Sequence, residues 1–110
     1  IKLVASAGSN THLFSPKVSV NPAKQYSITT YLNIKAITSG EVAFYIDEYD
    51  TNGNWISGQY KTGVSALGAG DVSLAYTPSS ASVASASLQI IVVGNSGITA
   101  YVDDVRWYQN

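Results

Sequence analysis

The sequence predicts an all-β domain, an antiparallel β-sandwich built as a jelly roll of about eight strands. Apolar and polar residues alternate over long segments, and turn-forming residues separate these segments at intervals typical of a sandwich. Apolar residues do not recur with helical spacing over three turns anywhere in the chain. The 110 residues allow one domain with one core, so we assign residues 1–110 to a single β-sandwich.

Two segments carry the clearest strand pattern. Over Gln25–Ile37, the even-numbered residues from 26 to 36 are apolar enough to face a core, and the odd-numbered ones face outward. Over Glu41–Asp50, the same alternation places Val42, Phe44 and Ile46 inward, with Ala43, Tyr45, Asp47 and Tyr49 outward. All eight predicted strands are Lys2–Ala7, Phe14–Val20, Gln25–Ile37, Glu41–Asp50, Trp55–Lys61, Asp71–Thr77, Leu88–Val93 and Ile98–Tyr108.

The segments between the strands have turn chemistry. Asn52-Gly53 is the dipeptide that supplies two positive-φ positions for a tight hairpin, so Trp55–Lys61 is expected to return beside the preceding strand. The run from Gly94 to Gly97 predicts a last hairpin between the final two strands. The Ser/Ala-rich segment Ser79–Ser87 is either a loop or one weak helical turn.

The charge content excludes several classes of partner. Six Lys/Arg and seven Asp/Glu make 12% of the chain and a net charge of −1, against an average of about 25% charged residues. The Lys residues are scattered, so there is no basic patch for nucleic acid. No apolar run approaches the roughly 20 residues that span a bilayer. The missing charge is replaced by hydroxyls, with 15 Ser and 8 Thr.

The chain has the character of an exported protein. It contains no Cys, which rules out disulfides and thiolate chemistry and fits bacterial exported proteins. It opens on Ile1 and contains no Met, so we expect a mature product or a piece of a longer protein. We therefore predict a secreted or cell-surface location and a bacterial source.

Signals for catalysis are weak. The one histidine, His12, lies in a polar stretch and is expected to be a solvated loop residue. Glu48 and Asp50 share a strand face, with Asp47 on the other, but such carboxylates are ordinary before a hairpin turn. The Asp50–Asn54 segment imitates a calcium loop and fails, since Gly53 and Lys61 occupy the wrong positions. We therefore predict that the protein is not an enzyme.

Three tyrosines fall on the polar phase of their strands. Tyr31, Tyr45 and Tyr49 lie there beside Asn33, Asp47 and Gln89. A tyrosine ring can stack on the apolar C–H face of a neutral sugar, while amides and carboxylates exchange hydrogen bonds with its hydroxyls. The pattern therefore favours one sugar-binding sheet face, although tyrosine also suits strands and pairs across them for structural reasons.

The two tryptophans differ in their expected roles. Trp55 follows the predicted turn and is either a platform for a ligand at the loop edge or a lid on the core. Trp107 shares the phase of Val105, which predicts packing.

Three short motifs resemble carbohydrate-binding modules of the calcium-containing jelly-roll type, similar to families 4, 9, 16 and 22, with their galactose-binding-like fold. They are Ser15–Ile28 (SPKVSVNPAKQYSI), Val42–Trp55 (VAFYIDEYDTNGNW) and Ala100–Trp107 (AYVDDVRW).

The resemblance implies a structural Ca²⁺ bound by an Asp of the last motif, Asp103 or Asp104, of which we favour Asp104. The alternative is an acidic bulge that pairs with Arg106. The family's usual N-terminal strand, which carries a further calcium ligand, has no counterpart here, so the site could be incomplete.

Together these observations predict a non-catalytic accessory module of a larger multidomain protein. It would bind neutral polysaccharide or oligosaccharide through Tyr31, Asn33, Tyr45, Asp47, Tyr49, Trp55 and Gln89. The alternatives are a structural or adhesive β-sandwich of a cell-surface or virion fibre protein, and a small glycan-acting enzyme that uses Asp47, Glu48 or Asp50.

Overall fold

The computed structural model describes residues 1–5, 9–94 and 97–110, which form nine strands. None of these residues belongs to a helix that is long and apolar enough to cross a membrane. The strands are β1 (Lys2–Ala5), β2 (Ser9–Phe14), β3 (Val18–Ser19), β4 (Tyr26–Ile37), β5 (Glu41–Tyr49), β6 (Trp55–Val64), β7 (Gly68–Tyr76), β8 (Ser85–Gly94) and β9 (Ile98–Gln109).

The strands form two antiparallel sheets. One has the order β1-β9-β4-β7, and the other has the order β2-β8-β5-β6, with β3 also paired to β8. Consecutive strands share a sheet only for β2–β3 and β5–β6, and every other pair of consecutive strands is divided between the two sheets, as in a jelly roll. The predicted all-β antiparallel sandwich is therefore confirmed.

The inner faces of the two sheets supply the core. The predicted inward residues of β4 from Tyr26 to Ile34 are buried, and so are Val42, Phe44 and Ile46 of β5. Ala36 was expected inward and is exposed, because the register with β9 shifts between Ile34 and Ala36. The remaining buried apolar residues of the cluster are Leu3, Ala5, Leu74, Tyr76, Ala86, Leu88, Ile90, Val92, Ile98, Ala100 and Val102.

Trp107 packs against this core, as predicted. It is partly buried and meets the Tyr76 ring edge-to-face, with the ring centroids 6.0 Å apart and the planes at 87°. Aromatic pairs prefer this arrangement.

The N-terminal strands differ from the prediction. Instead of one strand over Phe14–Val20, the structure has β2, which ends at Phe14, and the two-residue β3 inside the segment. Ser9–His12 lacks an alternating pattern because β2 is a polar strand at the edge of its sheet, so periodicity could not reveal it. Residues 6 and 7 of the first predicted strand lie outside the described residues.

One predicted hairpin is wrong and one is confirmed. β8 and β9 lie in different sheets, so Leu88–Val93 and Ile98–Tyr108 are not paired; residues 95–96 of the connecting segment are outside the described ranges. β5 and β6 do form a hairpin, but within its turn only Gly53 has a positive φ, of 82°. The turn is held by the Asp50 carboxylate, which accepts hydrogen bonds from the amides of Asn52 and Asn54.

β5 is buried on both of its faces. Ala43 and Asp47 lie on the outward phase and Glu48 on the inward phase, and all three are buried. The predicted phases of Ala43 and Asp47 are therefore right, but neither side chain faces open solvent. The cause is the central position of β5, with β8 on one side and β6 on the other.

Candidate functional site

Six ring-bearing side chains lie on the outer face of the five-stranded sheet, which we call the aromatic face. The face takes two residues from each of β2, β5 and β6, and β8 adds polar side chains between them. The six are His12, Phe14, Tyr45, Tyr49, Trp55 and Tyr60.

One row of side chains crosses the whole sheet. Phe14 pairs with Gln89, Gln89 with Tyr45, and Tyr45 with Tyr60, so the four residues stand side by side on four neighbouring strands. Neighbouring strands are about 4.8 Å apart, which makes the row about 14 Å long. Phe14 and Tyr60 at its ends are 56% and 53% exposed. The Tyr45 and Tyr60 rings meet edge-to-face at 5.2 Å, and the Tyr60 hydroxyl donates to Glu41 at 3.1 Å.

Asp47 occupies the centre of the next row, between Ser87 and Gly58. Its side chain is only 5% exposed, but both carboxylate oxygens accept hydrogen bonds. Trp55 Nε1 donates to Oδ1 at 3.2 Å, and Gln89 Nε2 donates to Oδ2 at 2.8 Å. The buried carboxylate is therefore satisfied by two residues that themselves lie on the face.

Gly58 makes room for this contact. A Cβ at this position would lie 3.0 Å from Asp47 Oδ1 and 3.7 Å from Trp55 Cζ2. The missing side chain thus lets the indole fold across β6 towards the carboxylate. Trp55 is 61% exposed, so it is not a lid on the core, and its role as a platform for a ligand stays a prediction.

Tyr49 lies opposite Trp55 and is partly covered. Lys17 Nζ stands 3.9 Å from the centroid of the Tyr49 ring, a cation–π contact that occupies one face of the ring. The Tyr49 hydroxyl is 3.5 Å from Ser87 Oγ. Tyr49 therefore offers less free ring surface than its place in the sequence indicates.

Sequence reasoning missed three residues of this face. His12 is not a loop residue but lies on β2, where its ring stacks with Phe14 at 6.4 Å. Phe14 was assigned to a strand without a role. The position of Tyr60 follows from the Asn52-Gly53 hairpin, which brings β6 back along β5, so pairing the predicted hairpin residue by residue could have found it.

Tyr31 and Asn33 lie elsewhere. They belong to β4, whose neighbours are β7 and β9 in the four-stranded sheet, and Tyr31 pairs there with Asp71 and Asp103. The expectation that Tyr31, Tyr45 and Tyr49 share one sheet face is therefore wrong. The connection after β4 crosses to the opposite sheet, and strand alternation contains no information about which sheet a strand joins.

Glu48 of β5 and Asp50 of the turn have structural roles away from the aromatic face. Glu48 is fully buried and accepts hydrogen bonds from Ser57, Tyr76 and Ser79. Burial raises the pKa of Glu48, but these hydrogen bonds outweigh it, and the net pKa lies below its usual value. Asp50 serves the turn, where the amide of Asn54 is the main cause that lowers its pKa.

Asp104 lies in a local bulge of β9, directly after Asp103, where the register with β4 shifts. Asp104 has a φ of 54°, and its amide donates to Asp103 Oδ1 at 2.9 Å. Arg106 approaches Asp104 at 4.0 Å, with both side chains largely exposed. Ca²⁺ takes six to eight oxygens, yet no group of three or more acidic or imidazole side chains in the described part of the chain could hold a metal ion. Asp103 and Asp104 bring two carboxylates together beside Arg106, so the calcium site implied by the family resemblance and its alternative, an acidic bulge paired with Arg106, both stay predictions.

The two antiparallel sheets pack as a jelly roll, a fold class that many β-sandwich domains share. No family model matches the sequence, and no curated protein matches it. Solved structures do match. A family 16 carbohydrate-binding module is similar with a TM-score of 0.69 and 13% identity, over 96% of this chain and 74% of that one. A family 4 carbohydrate-binding module is similar with a TM-score of 0.66 and 13% identity, over 99% and 82%.

A third similar structure comes from a virus. The enzymatically active domain of tailspike protein 4 from bacteriophage CBA120 matches with a TM-score of 0.69 and 14% identity, over 97% of this chain but 15% of that one. The chain thus has the fold of carbohydrate-binding modules of families 16 and 4, and the resemblance predicted from its motifs is confirmed for the fold.

Proposed function

We propose that the protein is a non-catalytic carbohydrate-binding module that holds a neutral oligosaccharide or polysaccharide on the aromatic face. The observation that carries the proposal is the row of Phe14, Gln89, Tyr45 and Tyr60, with Trp55 beside it. Rings spaced along such a row can stack on the C–H faces of successive sugar units, and Gln89 can exchange hydrogen bonds with their hydroxyls. Each stacking contact contributes about 0.5–1.5 kcal/mol.

The charges on this face support a neutral ligand. The Asp47 carboxylate is buried and holds two donors, and Glu41 accepts a hydrogen bond from Tyr60. Among the described residues, Lys17 is the lysine that contacts a ring, and it lies over Tyr49. Recognition of anionic sugars would require a cluster of cations, which the described part of this face does not present.

Within this proposal the roles of the residues differ. Phe14, Tyr45, Trp55 and Tyr60 supply ring surface, while Gln89 and His12 supply hydrogen bonds. Tyr49 contributes little stacking under Lys17, and Asp47 holds its neighbours without touching ligand. Tyr31 and Asn33 take no part in binding, since they lie in the other sheet.

Binding without catalysis is the simpler function for these carboxylates. A glycosidase needs two carboxyl groups that flank one bond, about 5–9.5 Å apart. Glu48 is enclosed in the core, Asp50 is held by turn amides, and Asp47 is covered by Gln89 and Trp55. None of the three offers a free carboxyl group beside the rings.

We also propose that the chain acts outside the cell as one module of a larger protein. The tailspike structure, of which the matching part is 15%, supports a modular role and favours the second candidate, a structural or adhesive domain of a fibre. That candidate predicts oligomers and no glycan retention. Sedimentation velocity together with glycan retention separates the two functions.

The deciding experiment is a panel of soluble neutral polysaccharides, such as β-glucan, xylan and mannan, tested by affinity electrophoresis and then by calorimetry. We expect retention on at least one polysaccharide, with a Kd between about 1 μM and 1 mM. Replacing Tyr45 and Tyr60 together with Ala should weaken binding about tenfold or more, since both stacking contacts are lost.

The matched control lies on the opposite face of the sandwich. Tyr31 and Tyr108 are also exposed tyrosines of a sheet, and replacing both with Ala should leave the affinity unchanged. If no polysaccharide retains the wild type, or if the Tyr31 and Tyr108 variant is the one that fails, the proposed function is wrong.

A further inference from the structure

A hydrogen-bonded chain of four side chains crosses the aromatic face. His12 Nδ1 is 2.9 Å from Gln89 Oε1, Gln89 Nε2 donates to Asp47 Oδ2 at 2.8 Å, and Trp55 Nε1 donates to Asp47 Oδ1 at 3.2 Å. The four residues come from β2, β8, β5 and β6, so the chain joins every long strand of this sheet.

The chemistry of these groups fixes which one donates and which one accepts at each of these hydrogen bonds. An ionised carboxylate only accepts hydrogen bonds, so Asp47 requires the amide nitrogen of Gln89 to point towards it. The carbonyl oxygen of Gln89 then faces His12, and an oxygen can only accept. The hydrogen between them must therefore come from His12 Nδ1, and the neutral ring exposes Nε2 as an acceptor.

We propose that Asp47 is a positioning residue that fixes the Nδ1–H tautomer of His12 and the orientation of Gln89 and Trp55. The face then presents an acceptor at His12 Nε2, suited to a hydroxyl that donates. This last part rests on the proposed function, whereas the tautomer is a property of the free protein. The acceptor at His12 Nε2 makes His12 a specificity-determining residue at the β2 edge of the sheet.

The packing around Asp47 supports a fixed arrangement. The carboxylate is buried, and Gly58 leaves the space through which Trp55 reaches it. Indole Nε1 is a donor and cannot accept, so Trp55 cannot adapt to a change of partner. Any rearrangement must therefore pass through Gln89 to His12.

Replacing Asp47 with Asn should exchange donor and acceptor in two hydrogen bonds, the one between position 47 and Gln89 and the one between Gln89 and His12. The Asn oxygen must stay with Trp55 Nε1, which leaves the Asn NH₂ group towards Gln89. Gln89 then turns its oxygen to Asn and its nitrogen to His12, and Nδ1 must become the acceptor. We expect the hydrogen of His12 to move from Nδ1 to Nε2.

Nitrogen-15 NMR of the ring tests this directly, because His12 is the only histidine in the sequence and needs no assignment. Spectra are recorded without glycan at about pH 8.5, where an ordinary imidazole is neutral. In the wild type we expect a protonated-type shift at Nδ1 and an unprotonated-type shift at Nε2. In Asp47→Asn the two types should exchange.

Two further variants keep the test decisive if Asp47→Asn does not fold. Gln89→Leu removes the acceptor and should lower the Nδ1–H population, whereas Trp55→Phe leaves the Gln89–His12 contact intact and should not change it. An unprotonated Nδ1 in the wild type, or a His12 tautomer unchanged in Asp47→Asn and Gln89→Leu, overturns the inference.

The affinity of Asp47→Asn for a polysaccharide that the wild type retains is measured separately, and we expect a loss of about tenfold. If the wild type retains none, the proposed function fails while the NMR result still decides the tautomer.

Discussion

The phenol of Tyr76 donates a 2.7 Å hydrogen bond to the Glu48 carboxylate inside the core, and this contact joins the two sheets. Tyr76 belongs to β7 of the four-stranded sheet, whereas Glu48 belongs to β5 of the other. Ser57 on β6 and Ser79 after β7 also donate to the same carboxylate. A buried charge is tolerated when it is fully hydrogen-bonded, so Glu48 acts as a polar tie between the sheets and underneath the aromatic face.

Replacing Glu48 with Gln should destabilise the fold. Hydrogen bonds to a charged group become bonds to a neutral amide, and we expect a loss of about 1.5–3 kcal/mol in the free energy of unfolding at pH 7. Urea denaturation followed by tryptophan fluorescence measures it. The control is Glu41→Gln on the same strand, which is partly exposed and should stay within about 0.5 kcal/mol of wild type. Equal losses in the two variants would contradict the role of Glu48.

The same carboxylate predicts a dependence of stability on pH. Since the hydrogen bonds hold the pKa of Glu48 below its usual value of 4.5, the unfolded chain binds the proton more readily than the folded one. Its contribution is complete above pH 4.5 and is lost as the pH falls through the lower pKa of the folded state. The gap between wild type and Glu48→Gln should therefore shrink from about pH 5 downward. A gap that is constant or widens there would show that Glu48 is not the responsible group.

Gly58 tests how Trp55 is held on the face. We expect Gly58→Ala to displace Asp47 or Trp55, because the new Cβ would lie 3.0 Å from a carboxylate oxygen that is already fixed by two donors. The affinity for glycan should fall, and the wavelength of maximum tryptophan emission should change because the indole is displaced. Gly70→Ala is the matched control, since a Cβ there meets nothing within 4 Å. Its free energy of unfolding should stay within about 0.5 kcal/mol of the wild type. Unchanged affinity and emission in Gly58→Ala would mean that this packing is dispensable.

Alternation along single strands predicted most of the core. The inward residues of β4 up to Ile34, and those of β5, follow a period of two and are buried as expected. Ala36 breaks the pattern because a bulge in the pairing with β9 shifts the register, and local sequence does not encode the partner strand.

The candidate site was harder to predict because it is assembled across strands. Tyr45, Asp47, Trp55 and Gln89 were identified, but Tyr31 and Asn33 were assigned to the same face although they lie in the opposite sheet. Sheet membership depends on crossovers between distant strands, which a periodic pattern does not reveal. His12 and Phe14 were missed because β2 is a polar edge strand that pairs with the distant strand β8.

The bulge at Asp104 allows a test of calcium dependence. The described residues provide no cluster of three or more acidic or imidazole side chains, so we expect EDTA to leave Tm unchanged. Asp104→Gly sharpens the test because Asp104 has a φ of 54°, which favours glycine. Without a metal, this variant should keep or raise Tm. A drop of Tm both with EDTA and in Asp104→Gly would instead support the calcium site implied by the family resemblance.

Lys17 and Tyr49 give a final test at the aromatic face. The ammonium group lies 3.9 Å from the ring centroid and covers one side of Tyr49, so a sugar cannot stack there without displacing it. We expect Tyr49→Ala to lose less glycan affinity than Tyr60→Ala, whose ring is open. Lys17→Met keeps the aliphatic stem, and should cost about 0.5–1 kcal/mol of stability while leaving the affinity equal or higher. Calorimetry on the retained polysaccharide measures both. If Lys17→Met loses as much affinity as Tyr60→Ala, Lys17 contacts the glycan itself and does not merely cover the ring.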